Sequence, residues 1–73
     1  MSPDKLAYMA NQIAKFFAHQ KHDVAVASIA DHLEKFWDPR MRRTILSQYD
    51  SVSERLDPLV REAIAQLRKV HTS

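Results

Sequence analysis

Three prolines divide the chain, and each directly follows a residue that caps helices well. The pairs are Ser2-Pro3, Asp38-Pro39 and Asp57-Pro58. A serine or aspartate oxygen accepts hydrogen bonds from the free N–H groups of a first helical turn, while proline at the first helical position loses no needed donor. The three pairs therefore predict three helix starts.

Apolar side chains recur at three- and four-residue spacing after each of these starts, and again after Asp23, which we expect to cap a further helix. This spacing predicts helices over about residues 3–19, 23–37, 39–50 and 58–70. No stretch alternates apolar and polar residues with a period of two, so the predicted fold class is all-α. Because the connections are short, we expect a small bundle of four helices in which sequential helices are antiparallel neighbours.

The predicted core takes one apolar stripe from each helix. Its members are Leu6, Met9, Ile13, Phe16, Phe17, Val26, Ile29, Ala30, Leu33, Phe36, Trp37, Met41, Ile45, Leu46, Tyr49, Leu59 or Val60, Ala63, Ile64, Leu67 and Val70. Residues 50–56 form the most irregular stretch, where Ser51 and Glu54 have the spacing of a capping box and favour a single turn.

The length of the chain, 73 residues, allows one domain (residues 1–73) and no second core. Only about 60% of the surface of so small a chain is buried on folding. Such a core rarely supplies more than about 3–5 kcal/mol, and without cysteine no disulfide reinforces it. Size alone is therefore compatible with a partner subunit.

The chain contains neither glycine nor cysteine. Without glycine there is no P-loop, no glycine-rich dinucleotide turn and no nucleophile elbow. Without cysteine there is no cysteine nucleophile, iron–sulfur cluster or thiolate zinc site. His19 and His22 are three residues apart, but a zinc site needs three or four ligands, and only Asp23 stands nearby. His32 has neither a nucleophile nor an oxyanion hole beside it. We therefore predict no catalytic, cofactor-binding or metal-binding residue.

The segment Phe36–Arg43 holds two aromatic rings, a capped proline and three arginines. Adjacent helical residues point about 100° apart, so a thin core cannot enclose both the Phe36 ring and the Trp37 ring. Tryptophan and arginine are enriched at binding hot spots. We therefore interpret Trp37 and the arginines as a partner-binding surface and assign Asp38 and Pro39 to the corner that presents it.

The adjacent rings of Phe16 and Phe17 raise the same geometric question at the end of the first helix. Lateral packing of one ring against the second helix is the expected arrangement. An exposed phenylalanine beside Trp37 would instead extend the partner surface.

The arginines also allow an alternative function. Arg40, Arg42 and Arg43 at the start of a short helix resemble the recognition element of a helix-turn-helix DNA-binding protein. Cations oppose the dipole at that end of a helix, which suggests an external anion. However, the formal net charge is only +2, which makes nucleic acid a weak candidate, and the carboxylates of a protein partner would pair with arginine equally well.

The chain shows no signal peptide at its beginning and no run near 18 apolar residues, so we expect a cytoplasmic protein without a membrane partner.

The most specific motif in the chain is the run Trp37–Arg42, Trp-Asp-Pro-Arg-Met-Arg. It is accompanied by Met9–Ala14, by Phe16-Phe17, by Ile29–Leu33 and by Leu56–Val60. Together these segments resemble the delta subunit of NAD-dependent, molybdenum-containing formate dehydrogenases over about residues 4–68. The sequence departs from the family in the loop at residues 50–55, where a glycine is expected.

The resemblance implies membership of a complex that oxidises formate to carbon dioxide and reduces NAD. A molybdenum or tungsten pterin centre, iron–sulfur clusters and FMN are then expected in the larger subunits and not in this chain. The chain is expected to be a non-catalytic accessory subunit that binds the catalytic alpha subunit and stabilises it or helps it to mature.

The resemblance also implies which residues contact the alpha subunit. The first set lies at the corner between the second and third helices and comprises Trp37, Asp38, Pro39, Arg40, Met41 and Arg42. Asn11 and Gln12 form a second set, because two adjacent amides on the first helix have no evident structural role. Exposed aromatic residues that normally meet the alpha subunit would also allow the isolated chain to form a homo-oligomer.

Overall fold

A computed structural model describes the backbone of residues 2–72 and the side chains of residues 2–69. Every regular element in this part of the chain is helical, which confirms the all-α prediction. No helix among these residues is both long enough and apolar enough to cross a membrane. The elements are α1 (Pro3–Phe17), α2 (His22–Phe36), α3 (Pro39–Ser47), α4 (Tyr49–Val52), a 3₁₀ turn (Ser53–Arg55) and α5 (Pro58–Thr72).

The three cap–proline pairs begin helices as predicted. Ser2 Oγ accepts a hydrogen bond from the backbone N–H three residues later at 3.2 Å, and Asp38 Oδ1 does the same at 2.9 Å. Asp57 Oδ1 accepts from the N–H two residues later at 2.9 Å. Local side-chain chemistry therefore sets the starts of α1, α3 and α5.

The second helix starts differently. α2 begins at His22 and has no side-chain cap; among the described residues, the Asp23 carboxylate accepts only from the neighbouring N–H of Val24, at 2.9 Å. The prediction that Asp23 caps this helix is therefore wrong. α1 also ends earlier than predicted, at Phe17. The chain turns there, and the Gln20 N–H donates to the carbonyl of Phe17 at 3.1 Å.

The prediction of four helices is wrong, because the described residues form five. The predicted third helix ends after Ser47, where Gln48 leaves helical geometry at φ −102° and ψ 13°, and a separate helix, α4, starts at Tyr49. This break brings Val52 and Leu56 into the core, where they are 1% and 3% exposed. The irregular stretch thus supplies apolar contacts that helical spacing did not predict.

The core lies mainly between α2 and α5, and α1 packs against α2, α3 and α5. The main partner of α2 is therefore α5 and not its chain neighbour α3. Ala7, Ala10 and Ala14 are fully buried along α1; their small side chains allow close approach of the neighbouring helices. The largest fully buried side chains are Leu6, Ile29, Leu33, Ile45, Val52, Val60 and Ile64.

The predicted core is confirmed for most of its members, with two clear errors. Phe16 and Phe36 were expected to join the apolar stripes, but they are 68% and 73% exposed. Their positions on α1 and α2 place them at the edge of the stripe, where a thin core has no room for a further ring. Val70 lies outside the residues whose side chains are described.

Candidate partner-binding surface

Trp37 lies at the end of α2 and is buried, with 5% of its surface exposed. It is the C-cap residue, its backbone is extended (φ −81°, ψ 137°), and its N–H donates to the carbonyl of Leu33 at 3.3 Å. The chain therefore leaves the helix at Trp37 and turns its ring into the core, while the preceding Phe36 ring stays outside. The prediction that Trp37 presents an exposed ring is wrong: the core encloses one of the two adjacent rings, and it is the tryptophan.

Arg42 extends back from α3 to the end of α2. Its guanidinium donates to the carbonyl of Glu34 at 2.9 Å and also to the carbonyl of Trp37. Carbonyls in the last turn of a helix have no helical partner, and the negative end of the helix dipole lies there. A cation that is unfavourable at the start of α3 is thus favourable at the end of α2, so Arg42 has a structural role that needs no external anion.

The remaining corner residues divide between structure and surface. Asp38 caps α3, and Met41 is half-buried and packs against the core. Pro39 and Arg40 are exposed, and the Arg40 guanidinium forms no ion pair or hydrogen bond with any described side chain or backbone group. The corner thus has fewer side chains without a structural role than its composition suggested.

Asn11 and Gln12 also differ from each other. The Asn11 amide donates to the carbonyl of Arg55 at 2.8 Å and accepts from the N–H of Asp57 at 2.8 Å. Both ends of this side chain tie α1 to the connection before α5, so the expectation that Asn11 has no structural role is wrong. These partners lie 44 and 46 residues away, and no local pattern in the sequence indicates them. Gln12 is exposed.

An exposed aromatic surface lies between α1 and α2. The rings of Phe16 and Phe17 meet edge to face at 5.2 Å between centroids, and the Phe17 ring is 6.5 Å from His32. His32 in turn lies 4.8 Å from the ring of Phe36. An open, almost wholly apolar groove is lined by Gln12, Ile13, Phe16, Phe17 and His32, and the Phe36 ring contacts His32 without lining the groove. We refer to the surface as the aromatic face; it comprises Gln12, Ile13, Phe16, Phe17, His32 and Phe36.

The aromatic face was only partly predictable. The sequence indicated that one ring of each adjacent pair must point away from the core, and Phe17 packs laterally as expected. The sequence offered an exposed phenylalanine beside Trp37 only as an alternative, whereas the structure joins Phe16 and Phe36 through Phe17 and His32. The role of His32 as the connecting ring was missed, because it depends on how α1 and α2 pack.

His19 and His22 show no catalytic or metal-binding arrangement with the described side chains. The His22 imidazole pairs with the carboxylate of Glu62 on α5. Across the side chains that are described, no three His, Cys, Asp or Glu residues are grouped in a way that would hold a metal ion. The binding surface that the described side chains do offer is the apolar aromatic face.

A family model for the NADH-dependent formate dehydrogenase delta subunit FdsD matches residues 5–64, which is 60 of the 73 residues. The chain belongs to the FdsD family. The resemblance inferred from the sequence is therefore confirmed. Comparison with curated proteins and with solved structures gives no match.

Membership of the FdsD family makes the chain a delta subunit of formate dehydrogenase. The matched range includes the α2–α3 corner and every residue of the aromatic face. Both surfaces therefore belong to the part of the chain that defines it as an FdsD protein.

Proposed function

We propose that this FdsD chain is a non-catalytic accessory subunit of a cytoplasmic, NAD-dependent formate dehydrogenase complex. In this proposal it binds the molybdenum-containing catalytic alpha subunit and stabilises it or helps it to mature. The family match over 60 of 73 residues is the observation that carries the proposal. The exposed aromatic face supports it, because aromatic residues are enriched at protein–protein interfaces.

The electron carriers of such a complex do not fit the residues of this chain. Iron–sulfur clusters are held by cysteine thiolates, and the chain has no cysteine. A chain without glycine also lacks the glycine-rich turns that commonly hold nucleotide cofactors. In the proposal, the molybdenum pterin, the iron–sulfur clusters and the FMN are therefore held by the larger subunits.

The mechanism requires only a difference in binding. A subunit that binds one form of the alpha subunit more tightly than another shifts the alpha subunit toward the preferred form. At a free concentration of about 100 times Kd, the bound form gains about 2.7 kcal/mol. If the preferred form is the cofactor-loaded one, this gain protects a folded, loaded alpha subunit without any catalytic group in the delta subunit.

The proposal is tested by an affinity pull-down of the tagged chain from its native cytoplasm. We expect the eluate to contain molybdenum and to reduce NAD when formate is added, and the tag alone to recover neither. Recovery of nucleic acid alone at low and moderate salt would contradict the proposal and favour the DNA-binding alternative.

A second experiment separates stabilisation from maturation. The complex is produced with and without this chain, and the molybdenum content per alpha subunit is measured together with the rate of thermal inactivation. Reduced molybdenum in the complex made without the chain indicates a role in maturation. Normal molybdenum with faster inactivation, reversed when the purified chain is added back, indicates stabilisation of the finished complex.

A further inference from the structure

We propose that the aromatic face is the surface through which this chain binds the catalytic subunit, and that its counterpart there is an apolar side chain bordered by carboxylates. The inference rests on the proposed function, which supplies the partner. It moves the expected contact away from the Trp37 ring, which is buried, to the rings of Phe16 and Phe36.

The two exposed rings are held in place by their neighbours. Phe16 packs edge to face on Phe17, and Phe36 packs on His32. Phe17 in turn is half-buried and packs against the core. Side chains that are already ordered lose little further conformational entropy on binding. The groove beside Phe16 is thus an apolar site that is already formed before a partner binds.

The aromatic face also accounts for much of the exposed apolar surface. Four large apolar side chains are exposed in the described part of the chain, and two of them, Phe16 and Phe36, belong to this face. The other two are Tyr8 and Val24. The total accessible surface is 4816 Å², and a typical interface covers about 800 Å² of each partner. One protein partner would therefore cover about one sixth of the molecule, which makes a single principal face sufficient.

Two exposed cations that are close in sequence to the exposed rings favour an acidic partner. Lys15 precedes Phe16, and Arg40 follows Phe36 by four residues; both are exposed, and neither forms an ion pair with a described residue. The exposed carboxylate of Asp38 accepts the hydrogen bond that caps α3. Lys35, which precedes Phe36, is neutralised by Asp31 at 3.2 Å. The cations left over are complementary to carboxylates on a partner, which would raise the association rate and select that partner.

A second copy of the chain is a poorer occupant of the same face. A two-fold dimer brings identical patches together, so each copy would bring the same two exposed cations, Lys15 and Arg40. The chain already carries a formal net charge of +2, and a second copy supplies no compensating excess of carboxylates.

The test compares Phe16→Ala, Phe36→Ala and the double variant with Tyr8→Ala. Tyr8 is a matched control, because it is an aromatic residue on α1, 64% exposed and outside the aromatic face. The Kd of each full-length chain for the complex of the remaining subunits is measured by titration calorimetry. We expect the double variant to bind at least about thirtyfold more weakly, as for a hot-spot residue. Tyr8→Ala should change the Kd less than about threefold, and circular dichroism should show unchanged helix in all variants.

The outcomes distinguish the inference from the function on which it rests. If the wild-type chain binds no formate dehydrogenase subunit, the proposed function itself fails. If the wild type binds and the double variant binds equally well, the function stands and the aromatic face is rejected. If sedimentation shows a wild-type dimer that the double variant loses while its Kd for the complex is unchanged, the face belongs to a second copy and the inference is wrong.

The predicted acidic counterpart is tested separately with Arg40→Glu. Arg61→Glu is the matched control, because it makes the same charge change on exposed α5 surface outside the aromatic face. At low salt, Arg40→Glu should weaken binding by about fivefold more than Arg61→Glu, and the difference should shrink at high salt as the charges are screened. Equal effects of the two variants would reject carboxylates at this border.

Discussion

The α2–α3 corner and the aromatic face meet at the end of α2, where two neighbouring aromatic rings have opposite environments. Phe36, the last residue of α2, is 73% exposed, whereas Trp37, the next residue, is 5% exposed. The difference arises because Phe36 keeps helical geometry while Trp37 has an extended backbone. The environment of a large ring is thus decided by where the helix ends, and not by the residue type.

The comparison assigns different consequences to substitutions in the two regions. At the corner, side chains fill the core or satisfy the ends of helices, so their loss should lower the free energy of unfolding. On the aromatic face, the exposed rings contribute little to folding, so their loss should change binding. Three substitutions test this division, and a fourth, Asn11→Ala, tests a structural contact outside both regions.

Trp37→Ala is expected to lower the free energy of unfolding by about 3–5 kcal/mol, the usual cost of removing a buried large aromatic ring. Because a domain of this size has about that much stability in total, the variant should be largely unfolded in far-UV circular dichroism. Trp37→Phe, which keeps a ring, should retain a cooperative urea transition. A Trp37→Ala variant that melts normally but no longer binds its partner would break the comparison.

Asn11→Ala is expected to cost about 1–2 kcal/mol, since the two hydrogen bonds to the Arg55 carbonyl and from the Asp57 N–H are lost and each contributes about 0.5–1.5 kcal/mol net. Gln12→Ala provides the control, because this neighbouring amide is exposed and its loss should change stability by less than about 0.5 kcal/mol. The measurement is the midpoint of urea unfolding. Identical midpoints for the two variants would show that Asn11 does not hold α1 to the α5 connection.

Arg42→Ala should cost about 1 kcal/mol, because the last carbonyls of α2 lose a charged donor. Arg43→Ala removes the same charge from the next, exposed position and should be nearly neutral. Thermal melts at low and high salt separate the two variants. A larger effect of Arg43→Ala than of Arg42→Ala would reject the capping role of Arg42.

Phe36→Ala should change the free energy of unfolding least, by less than about 0.5 kcal/mol, although it removes a ring directly beside Trp37. The urea midpoint of this variant is compared with that of Trp37→Ala. A loss of stability above about 2 kcal/mol would show that the Phe36 ring is part of the core, and would remove the distinction between the two regions.

Much of the candidate site could not be predicted from the sequence. The side-chain amide of Asn11 forms hydrogen bonds with backbone groups of Arg55 and Asp57, far along the chain. The ring contact between Phe17 and His32 joins α1 to α2. The importance of adjacent ring pairs was visible in the sequence, because geometry forces one ring of each pair outward. Which ring points outward depended on the end of the helix and on its neighbours.

The sequence by itself determined the helical class, the starts of three helices and most core positions, because capping and helical spacing act within a few residues. It also determined the family, through motifs along most of the chain. Only the tertiary structure decided that Trp37 is enclosed, that Arg42 closes α2, and that Phe16 and Phe36 share one exposed face. Those outcomes depend on competition for limited core volume between segments distant in the chain, and a local pattern does not record that competition.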